Sequence, residues 1–382
     1  MNLRTLIKAK RCRHFKGDFL RDFNAKERAN QKQLEVLKIA IQTQDETLIA
    51  HQLAKFDLSE FTNLVQTDRV RALAHIDAML LQGDDSVFDK LIEWANEREI
   101  SPSKFPRDKN ALKALKELNL SDCGLKTLPQ ELMYLQGLEE LDLSENKFQG
   151  VVPRVICELK NLKKLSLNDC GLNDLPDEFA KLQGLERLEL WRNTFQKAPK
   201  ALCELKNLKE LILNKCGLSS LPDEFANLQG LEELVLGYNN FKEFPNALCG
   251  LINLKSLNLA NCGLKTLPDT FGVLQKLEKL YLPLNPLVCD KWLDSRDLPK
   301  VIFKLRNLQE LDLCKCNIPS FSTLPKEFIN LQNLKKSFIN SANVCYDDET
   351  SVLDKLQIQI ESRGGRLTIT DTSEFEFFWW DF

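Results

Sequence analysis

The stretch from Leu162 to Asn207 reads LKKLSLNDCGLNDLPDEFAKLQG and then LERLELWRNTFQKAPKALCELKN. The chain continues from Leu208 with LKELILNKCGLSSLPDEFANLQG and LEELVLGYNNFKEFPNALCGLIN, which repeats both halves in order. We call each such unit a coil and number the coils by their leading leucines: Leu115, Leu138, Leu162, Leu185, Leu208, Leu231, Leu254 and Leu277. Successive leucines are 23 residues apart, with one step of 24 from 138 to 162. This self-similarity predicts a repeat architecture.

Each coil carries the pattern Leu-x-x-Leu-x-Leu-x-x-(Asn or Cys), and its inner Leu-x-Leu alternates as a half-buried strand does. Stacked coils would bury these leucines in one core, with Leu175 and Phe179 packing into it from the opposite side. In coil 3 we therefore expect Leu162, Leu165 and Leu167 to be buried. We expect the outward residues of that coil to be Lys164, Ser166, Asn168 and Asp169.

The position after each strand alternates between two residue types: Cys123, Asn146, Cys170, Asn193, Cys216, Asn239, Cys262, Asn285 and Cys316. A buried Asn amide can bond backbone groups of neighbouring coils, and a thiol is a small apolar group with one weak donor. The alternation predicts a ladder of satisfied backbone groups and requires no chemical reaction.

From about Leu115 to Leu334 the chain resembles the leucine-rich-repeat family, whose signature is this pattern. The Leu-Pro-x-x-Phe-x-x-Leu second half, as in Leu175 to Leu182, resembles short intracellular and bacterial-type repeats. The Cys/Asn alternation is similar to that of ribonuclease inhibitors, although coils of 23 residues are too short for their full helices. The resemblance implies an α/β fold, a curved solenoid with a parallel β-sheet on its concave face, that binds macromolecules and needs no cofactor.

The pattern divides the chain into three parts. Residues 1–104 are predicted to form an α-helical N-terminal domain or cap, because apolar stripes such as Val87, Leu91 and Trp94 have helical spacing. Residues 105–335 would form a solenoid of nine to ten coils. Residues 336–382 would form a C-terminal cap, in which we expect a helix, a Gly364-Gly365 turn and a strand at 367–369.

The charge and the distribution of apolar residues indicate the compartment in which the protein is made. The net charge is −3, and no stretch reaches the length of a membrane span or has the apolar core of a secretory signal, so a soluble protein made in a cytosol is expected. Residues 1–38 carry eleven Lys or Arg and four Asp or Glu, a net charge of about +7. This segment is either a solvated amphipathic helix of the N-terminal domain or an arm that binds an acidic partner, an anionic membrane or RNA.

Twelve cysteines raise the question of disulfides. Cys170 and Cys216 lie two coils apart, which is roughly 10 Å, whereas a disulfide needs Cα atoms within about 7 Å. We expect buried, reduced thiols, including the second set Cys157, Cys203 and Cys249. Cys314 should lie exposed on the strand that carries Cys316, and without a second pair or a histidine nearby zinc is not favoured.

Catalytic patterns are missing from the repeats. The three histidines, His14, His51 and His75, all precede the coils. The chain has neither a Gly-x-x-x-x-Gly-Lys-Ser/Thr loop nor a Gly-x-Ser-x-Gly elbow. The sequence therefore predicts a protein that is not an enzyme.

The solenoid departs from its period near its end. The step from Leu277 to Leu308 is 31 residues, and the extra residues lie in the 286–301 insert with Trp292, which is either packed against the solenoid or a partner contact. Ser337 replaces a leucine in the closing coil. The aromatic residues of 375–382 would seal the end of the core, form an exposed patch or act as a recognition or export signal.

The fixed register defines a candidate binding face. In coils 1 to 3 its outward residues are small or acidic: Asn119, Ser121, Asp122, Asp142, Glu145, Ser166 and Asp169. From coil 4 they become large: Trp191, Arg192, Ile212, Val235, Tyr238, Tyr281 and Leu284. Because Trp, Tyr and Arg often carry interface energy, we expect a protein partner on coils 4 to 8, unless flanking side chains cover these residues.

The sequence leaves the biological role open between two readings. The first is a non-catalytic interaction protein in a cytosol, which by resemblance includes a bacterial effector delivered into a host cell. The alternative is a substrate-recognition adaptor or enzyme regulator that engages ubiquitin-ligase or kinase machinery through residues 1–104. Neither reading involves nucleic acid, and the oligomeric state is not fixed by the sequence.

Overall fold

A computed structural model describes residues 86–287, 299–316, 330–340 and 357–370, together with the single helical residues Leu37, Ala40 and Ile49. The chain divides into two compact units. One contains Met1–Glu99 and Pro129–Tyr134, and the other contains Ile100–Leu128 and Leu135–Phe382. The first is called the helical unit here and the second the repeat unit.

The helical unit contains helix α1 (Ser86–Glu97) and the 3-10 helix η1 (Gln130–Tyr134), which pack together. The predicted stripe is confirmed in α1, where Val87 and Leu91 are buried and Trp94 is half-buried. The three isolated helical residues are also buried. The other helices predicted between residues 31 and 85, and the basic segment 1–38 apart from Leu37, lie outside the described residues.

The repeat unit contains a parallel sheet with one strand per coil. Its described strands are β1 (Glu117–Asn119), β2 (Glu140–Asp142), β3 (Gly150–Val151), β4 (Lys164–Ser166), β5 (Leu172–Asp174), β6 (Arg187–Glu189), β7 (Glu210–Ile212), β8 (Glu233–Val235), β9 (Ser256–Asn258), β10 (Lys279–Tyr281), β11 (Glu310–Asp312), β12 (Lys336–Asn340) and β13 (Arg366–Thr370). Strands β3 and β5 form a separate pair, and the other eleven follow chain order across one sheet. The predicted α/β repeat fold is confirmed, since along the large sheet from β1 to β11 the central leucine of each strand pairs with that of the next, as Leu188 pairs with Leu211.

Short helices return the chain from strand to strand. They are α2 (Lys109–Lys113) before the first strand and the 3-10 helices η2 (Arg154–Glu158), η3 (Asp177–Lys181), η4 (Lys200–Glu204), η5 (Asp223–Asn227), η6 (Asn246–Gly250), η7 (Asp269–Val273) and η8 (Lys300–Lys304). A proline precedes each of η2 to η8, as Pro176 precedes η3. Proline suits this position because its fixed φ matches the start of a helix, where an N–H has no partner within the helix.

The core lies between the sheet and the 3-10 helices. Leu162, Leu165 and Leu167 are at most 1% exposed, as predicted, and Leu175 and Phe179 enter from the other side. Phe225 and Phe271 occupy the position of Phe179 in coils 5 and 7, and all three phenylalanines are fully buried. Burying each such side chain contributes about 1.5–3 kcal/mol, so stacking of coils stabilises strands of only three residues.

The predicted asparagine ladder is confirmed. Asn193 donates from Nδ2 to Leu167 O and Leu190 O, at 2.9 and 2.7 Å, and its Oδ1 accepts from Cys170 N and Leu172 N, at 3.2 and 2.9 Å. Asn146, Asn239 and Asn285 make the same bonds in their coils. Every second coil is thus bonded to the coil before it by one buried amide.

None of the nine described cysteines is joined in a disulfide. Two expectations about their exposure are wrong. Cys314 is buried, with 4% exposed, because it occupies a strand-exit position that neighbouring coils cover, as they cover Ala260 and Pro283. Cys123 and Cys249, expected to be buried, are half-exposed.

The end of the repeat unit keeps the sheet but loses the leucine pattern. Ser337 occupies a leucine position in β12 and is fully buried. A helical segment at 357–361 ends in a turn where Gly364 has φ 73°, a left-handed conformation that favours glycine. The strand predicted at 367–369 is confirmed as β13, which pairs in parallel with β12. Residues 288–298, with Trp292, and 371–382, with the aromatic tail, lie outside the described residues.

Candidate functional site on the open face of the sheet

The open face is the set of outward side chains that the strands and their exits present away from the core. The coil that begins at Leu308 is coil 9. In each of coils 1 to 9 the fourth outward residue has a left-handed backbone, with φ between 49° and 61°. Arg192, Tyr238 and Leu284 share this position, with φ of 59°, 59° and 61°. Left-handed φ is uncommon for residues with a side chain, and the sequence pattern alone did not indicate it. It brings three of the predicted binding residues into one row at the strand exits.

Trp191 and Arg192 form a fixed pair on coil 4. The Arg192 guanidinium lies 5.3 Å from the centre of the Trp191 ring, and its Nη2 lies 3.2 Å from Asp169 Oδ2. Asn168 Oδ1 accepts from Trp191 N at 3.0 Å, while its Nδ2 donates to Glu189 Oε2 at 2.8 Å. Asn168 is therefore buried, at 6% exposed, and the prediction that it faces solvent is wrong.

Tyr238 provides the second aromatic group. Its side chain is 40% exposed, and Lys215 Nζ lies 5.2 Å from the ring centre. A cation held over an aromatic face contributes about 0.5–1 kcal/mol at exposed sites. Lys215 was not among the predicted residues, although it occupies the position of Arg192 in the next coil, which was the available signal. Both aromatic groups on this part of the face are thus held against a cation.

The aliphatic residues that lie between Trp191 and Tyr238 are less exposed than predicted. Ile212 is 6% exposed and is not an exposed contact residue, which corrects the expectation for this position. In the register of the sheet it lies between Glu189 and Val235, one strand away on each side, at about 4.8 Å. Val235 is half-buried. These side chains form the floor of the face between Trp191 and Tyr238.

Tyr281 and Leu284 lie on coil 8 and are half-buried. The Tyr281 hydroxyl donates to Glu310 Oε2 at 2.8 Å, and burial together with this carboxylate raises the pKa of Tyr281. Burial acts to raise the pKa of Glu310, but hydrogen bonds from Lys336 and Tyr281 outweigh it and hold that pKa below its ordinary value. The ring of Tyr281 is therefore anchored to the sheet by its polar end.

The face becomes acidic toward coil 1, as the sequence predicted. Glu117, Asp122, Asp142 and Glu145 have no basic side chain within 4 Å in the described part of the chain. Glu140 is different, because Lys164 Nζ lies 2.7 Å from its Oε1. Coils 1 and 2 therefore present a concentration of unpaired carboxylates next to the aromatic region.

Arg187 separates these two regions. Its Nε lies 2.7 Å from Glu189 Oε1, and its Nη1 contacts Glu210. Burial raises the pKa of Glu210, although Arg187 opposes this effect. The sequence prediction did not include Arg187, which is two residues before Glu189 on the same face of β6. Arg187 thus links the carboxylates of two neighbouring strands.

Within the part of the chain that the structure describes, no group of three His, Cys, Asp or Glu side chains is arranged to hold a metal ion. No helix among the same residues is long and apolar enough to cross a membrane.

Models of known families match three segments. A model described as a leucine-rich repeat region matches residues 107–216, one described as leucine rich repeat matches residues 206–264, and a single-repeat model matches residues 307–331. All three describe the same kind of repeat. A search of curated proteins finds no match.

Solved structures with similar folds were found in different kinds of protein. A Leptospira interrogans LRR protein is 29% identical over 61% of this chain and 70% of its own, with a TM-score of 0.46. TLR13 in its complex with ssRNA13 is 26% identical over 68% of this chain and 40% of its own, with a TM-score of 0.52. The leucine-rich-repeat domain of the type III effector XopL is 24% identical over 64% of this chain and 91% of its own, with a TM-score of 0.47.

Proposed function

The chain belongs to the leucine-rich-repeat family, and we propose that it is a non-catalytic protein that binds a protein partner on the open face of coils 4 to 8. Leucine-rich-repeat folds generally mediate protein–protein interaction. The observation that carries the proposal is the pair of aromatic side chains, Trp191 and Tyr238, each held under a cation on the open face.

The energetics of interfaces support this assignment. Binding energy concentrates in a few Trp, Tyr and Arg side chains, and contacts around them mainly exclude water. Association also costs side-chain entropy, which is smaller when the groups are already ordered. Arg192 is ordered by Asp169 and Trp191, so coil 4 presents a preformed contact. Ile212 and Val235 would form the floor beneath the bound chain.

The acidic end of the face gives the proposed partner a charge. Unpaired carboxylates on coils 1 and 2 attract basic groups, raise the association rate and fix orientation more than they add affinity. The partner would therefore carry basic residues next to the segment that contacts Trp191 and Tyr238. Its association rate would fall as salt is added.

The thiols support the non-catalytic part of the proposal. A cysteine nucleophile needs an accessible thiolate, whereas burial raises the pKa of Cys216 and of Cys262 to about 12. The free thiols at the nine described cysteine positions also favour a reducing compartment such as a cytosol.

Affinity capture tests the proposal. The full chain and its Trp191→Ala/Tyr238→Ala variant would be immobilised side by side in lysate, and the retained proteins identified. A matched control is Lys200→Ala/Asn246→Ala, which changes exposed residues on the 3-10 helices of the same two coils. We expect a protein that wild type and control retain and that the aromatic variant loses. Equal retention by all three would contradict the proposal.

A further inference from the structure

A second surface lies along the turn that follows each 3-10 helix, away from the open face. Two residues of every coil lie there, one on each side of a buried leucine. The first row across coils 2 to 8 is Glu158, Lys181, Glu204, Asn227, Gly250, Val273 and Lys304. The second row is Lys160, Gln183, Lys206, Gln229, Ile252, Gln275 and Arg306.

Both rows change from polar to apolar residues at coils 6 and 7, the first row at Val273 and the second at Ile252. From coil 2 to coil 5 every member is polar, but Ile252 and Val273 are apolar and are 52% and 49% exposed. Neither side chain contributes to the core, whose apolar positions are the intervening Leu251 and Leu274. Two adjacent coils thus break a polar pattern that the preceding four keep, and the break exposes apolar surface to water.

Hydrogen bonds link the turns that carry these two side chains. Gln275 Nε2 donates to Gly272 O at 2.6 Å and to Lys304 O at 3.0 Å, which links coil 7 to coil 8. Lys276 Nζ donates to Asn253 Oδ1 at 2.7 Å, which links coil 7 to coil 6. Ile252 and Val273 directly adjoin Asn253 and Gly272 in the chain, so the bonded turns carry both side chains.

A recess lies beside Gly272, the residue that precedes Val273 in the chain. It is lined by Gly272, Gln275, Phe303, Lys304 and Arg306, with Asn333 on the next coil. Gly272 helps to keep it open, because a Cβ there would lie 3.2 Å from Val301 Cγ2 and 3.1 Å from Lys304 Cδ, closer than ordinary contact. The patch therefore has a depression as well as exposed side chains.

The basic side chains around the patch are not paired with carboxylates. Lys276, Lys304 and Arg306 are exposed, and within the described residues no carboxylate lies within 4 Å of any of them. The first row is different in coils 2 and 3, where Lys181 Nζ lies 3.5 Å from Glu158 Oε1. Unpaired cations next to apolar side chains complement a ligand that is both acidic and apolar.

We propose that this turn patch of coils 6 to 8 is a second docking surface, which binds an acidic amphipathic segment of a protein partner. Apolar side chains of that segment cover Ile252 and Val273, and its carboxylates pair with Lys304 and Arg306. The recess favours a polypeptide, because an inserted side chain fills it, whereas a lipid surface would meet only the outermost atoms. This surface is independent of the open face.

Synthetic peptides test the proposal with defined probes. Three fluorescent helical peptides would be titrated with the full chain by anisotropy at low ionic strength. The first has Leu and Glu at helical spacing, the second replaces Glu by Lys, and the third replaces Leu by Ser. We expect the first to bind at least about tenfold more tightly than either of the others, and to weaken with added salt.

The repeats themselves supply matched variants. Ile252→Gln/Val273→Asn introduces the residues that coil 5 carries at the same positions, so the fold should tolerate it. It should weaken the first peptide about tenfold, as should Lys304→Gln/Arg306→Gln. Trp191→Ala/Tyr238→Ala should leave this binding unchanged, which separates a failure here from a failure of the open-face proposal.

Other outcomes overturn the inference. Equal affinity for the acidic and basic peptides would do so, as would unchanged binding by Ile252→Gln/Val273→Asn. Preferential binding to phosphatidylcholine/phosphatidylserine vesicles, lost in that variant, would assign the patch to a membrane surface instead. Self-association in sedimentation, also lost in that variant, would assign it to a second copy of the chain.

Discussion

Asn239 in coil 6 and Asp312 in coil 9 are both buried polar residues, but their hydrogen bonding differs. Asn239 donates to Leu213 O and Leu236 O and accepts from two backbone amides, so its whole amide group is used. Asp312 accepts from Cys314 N through Oδ1, and its Oδ2 has no hydrogen-bond partner among the described residues. Both side chains are 3% exposed or less.

The difference in hydrogen bonding between Asn239 and Asp312 reflects their positions in the repeat. Where coils keep the period of 23, one amide meets the same four backbone groups each time. The coil of Asp312 follows the long step from Leu277 to Leu308, and its outward strand residue is buried. The repeat supplies partners for the amide at the ladder position, whereas the outward strand position of Asp312 has no such set of partners, and one carboxylate oxygen is left without a hydrogen bond.

Removing a ladder amide should have the largest effect. Asn239→Leu leaves two backbone N–H groups and two carbonyls buried without this partner, and each unsatisfied group costs about 1–3 kcal/mol before relaxation. We expect a loss of about 3–5 kcal/mol in the free energy of unfolding, measured by urea denaturation at pH 7.5.

The control is the neighbouring residue Asn240, which is exposed. Asn240→Leu should change the free energy of unfolding by less than about 0.5 kcal/mol. If the two variants lost similar stability, the ladder would not account for the difference between the regular and irregular coils.

Neutralising Asp312 should have an effect of intermediate size on the free energy of unfolding, and it should stabilise the protein. Burial raises the pKa of Asp312 from 3.8 to about 6, so the folded chain holds this proton more strongly than the unfolded chain. The stability that comes from holding this proton is therefore fully present below pH 4 and is lost as the pH rises through about 6. Asp312→Asn keeps the acceptor for Cys314 N and should gain about 1–3 kcal/mol at pH 7.5 but little at pH 4.

Asp142→Asn is the matched control, because Asp142 holds the same position in coil 2. Its two oxygens accept from Ser144 N and Asn119 Nδ2, and it is half-buried. We expect no gain in its urea midpoint at pH 7.5. If Asp142→Asn gained as much stability as Asp312→Asn, the burial of the Asp312 carboxylate without a second partner would not be the cause of the gain.

The smallest effect on stability should come from removing one carboxylate of the exposed ion pairs between neighbouring coils. Glu139 lies between Lys116 and Lys163, at 2.7 and 2.6 Å, and hydrogen bonds from these two lysines lower its pKa to about 2. Glu139→Gln should lower the urea midpoint slightly at pH 7, and the difference should disappear in about 1 M salt because exposed pairs are screened. A difference that high salt leaves unchanged would contradict this account.

The interior was predictable from sequence because the repeat fixes its geometry. Leu165 and Leu167 had to be buried once the period was known, and an Asn at every second strand exit had one set of backbone partners. Strand β13 was also predictable, since a helix-exit glycine followed by alternating apolar residues has few other structures.

The outer face was only partly predictable. Register tells on which side of the sheet a residue lies, but not how far its neighbours extend over it. Ile212, Asn168 and Cys314 are on the predicted side and are nevertheless buried. The pairing of Lys215 with Tyr238 depends on side-chain reach across coils, which the repeat pattern does not contain.

The central claim is that the aromatic pair on the open face carries partner binding, and calorimetric titration tests it most directly. The captured partner would be titrated into wild type, Trp191→Ala/Tyr238→Ala and the control Lys200→Ala/Asn246→Ala, after urea midpoints show that all three are folded. The account predicts at least about a tenfold loss of affinity for the aromatic variant and none for the control. Equal affinity in all three proteins would contradict it.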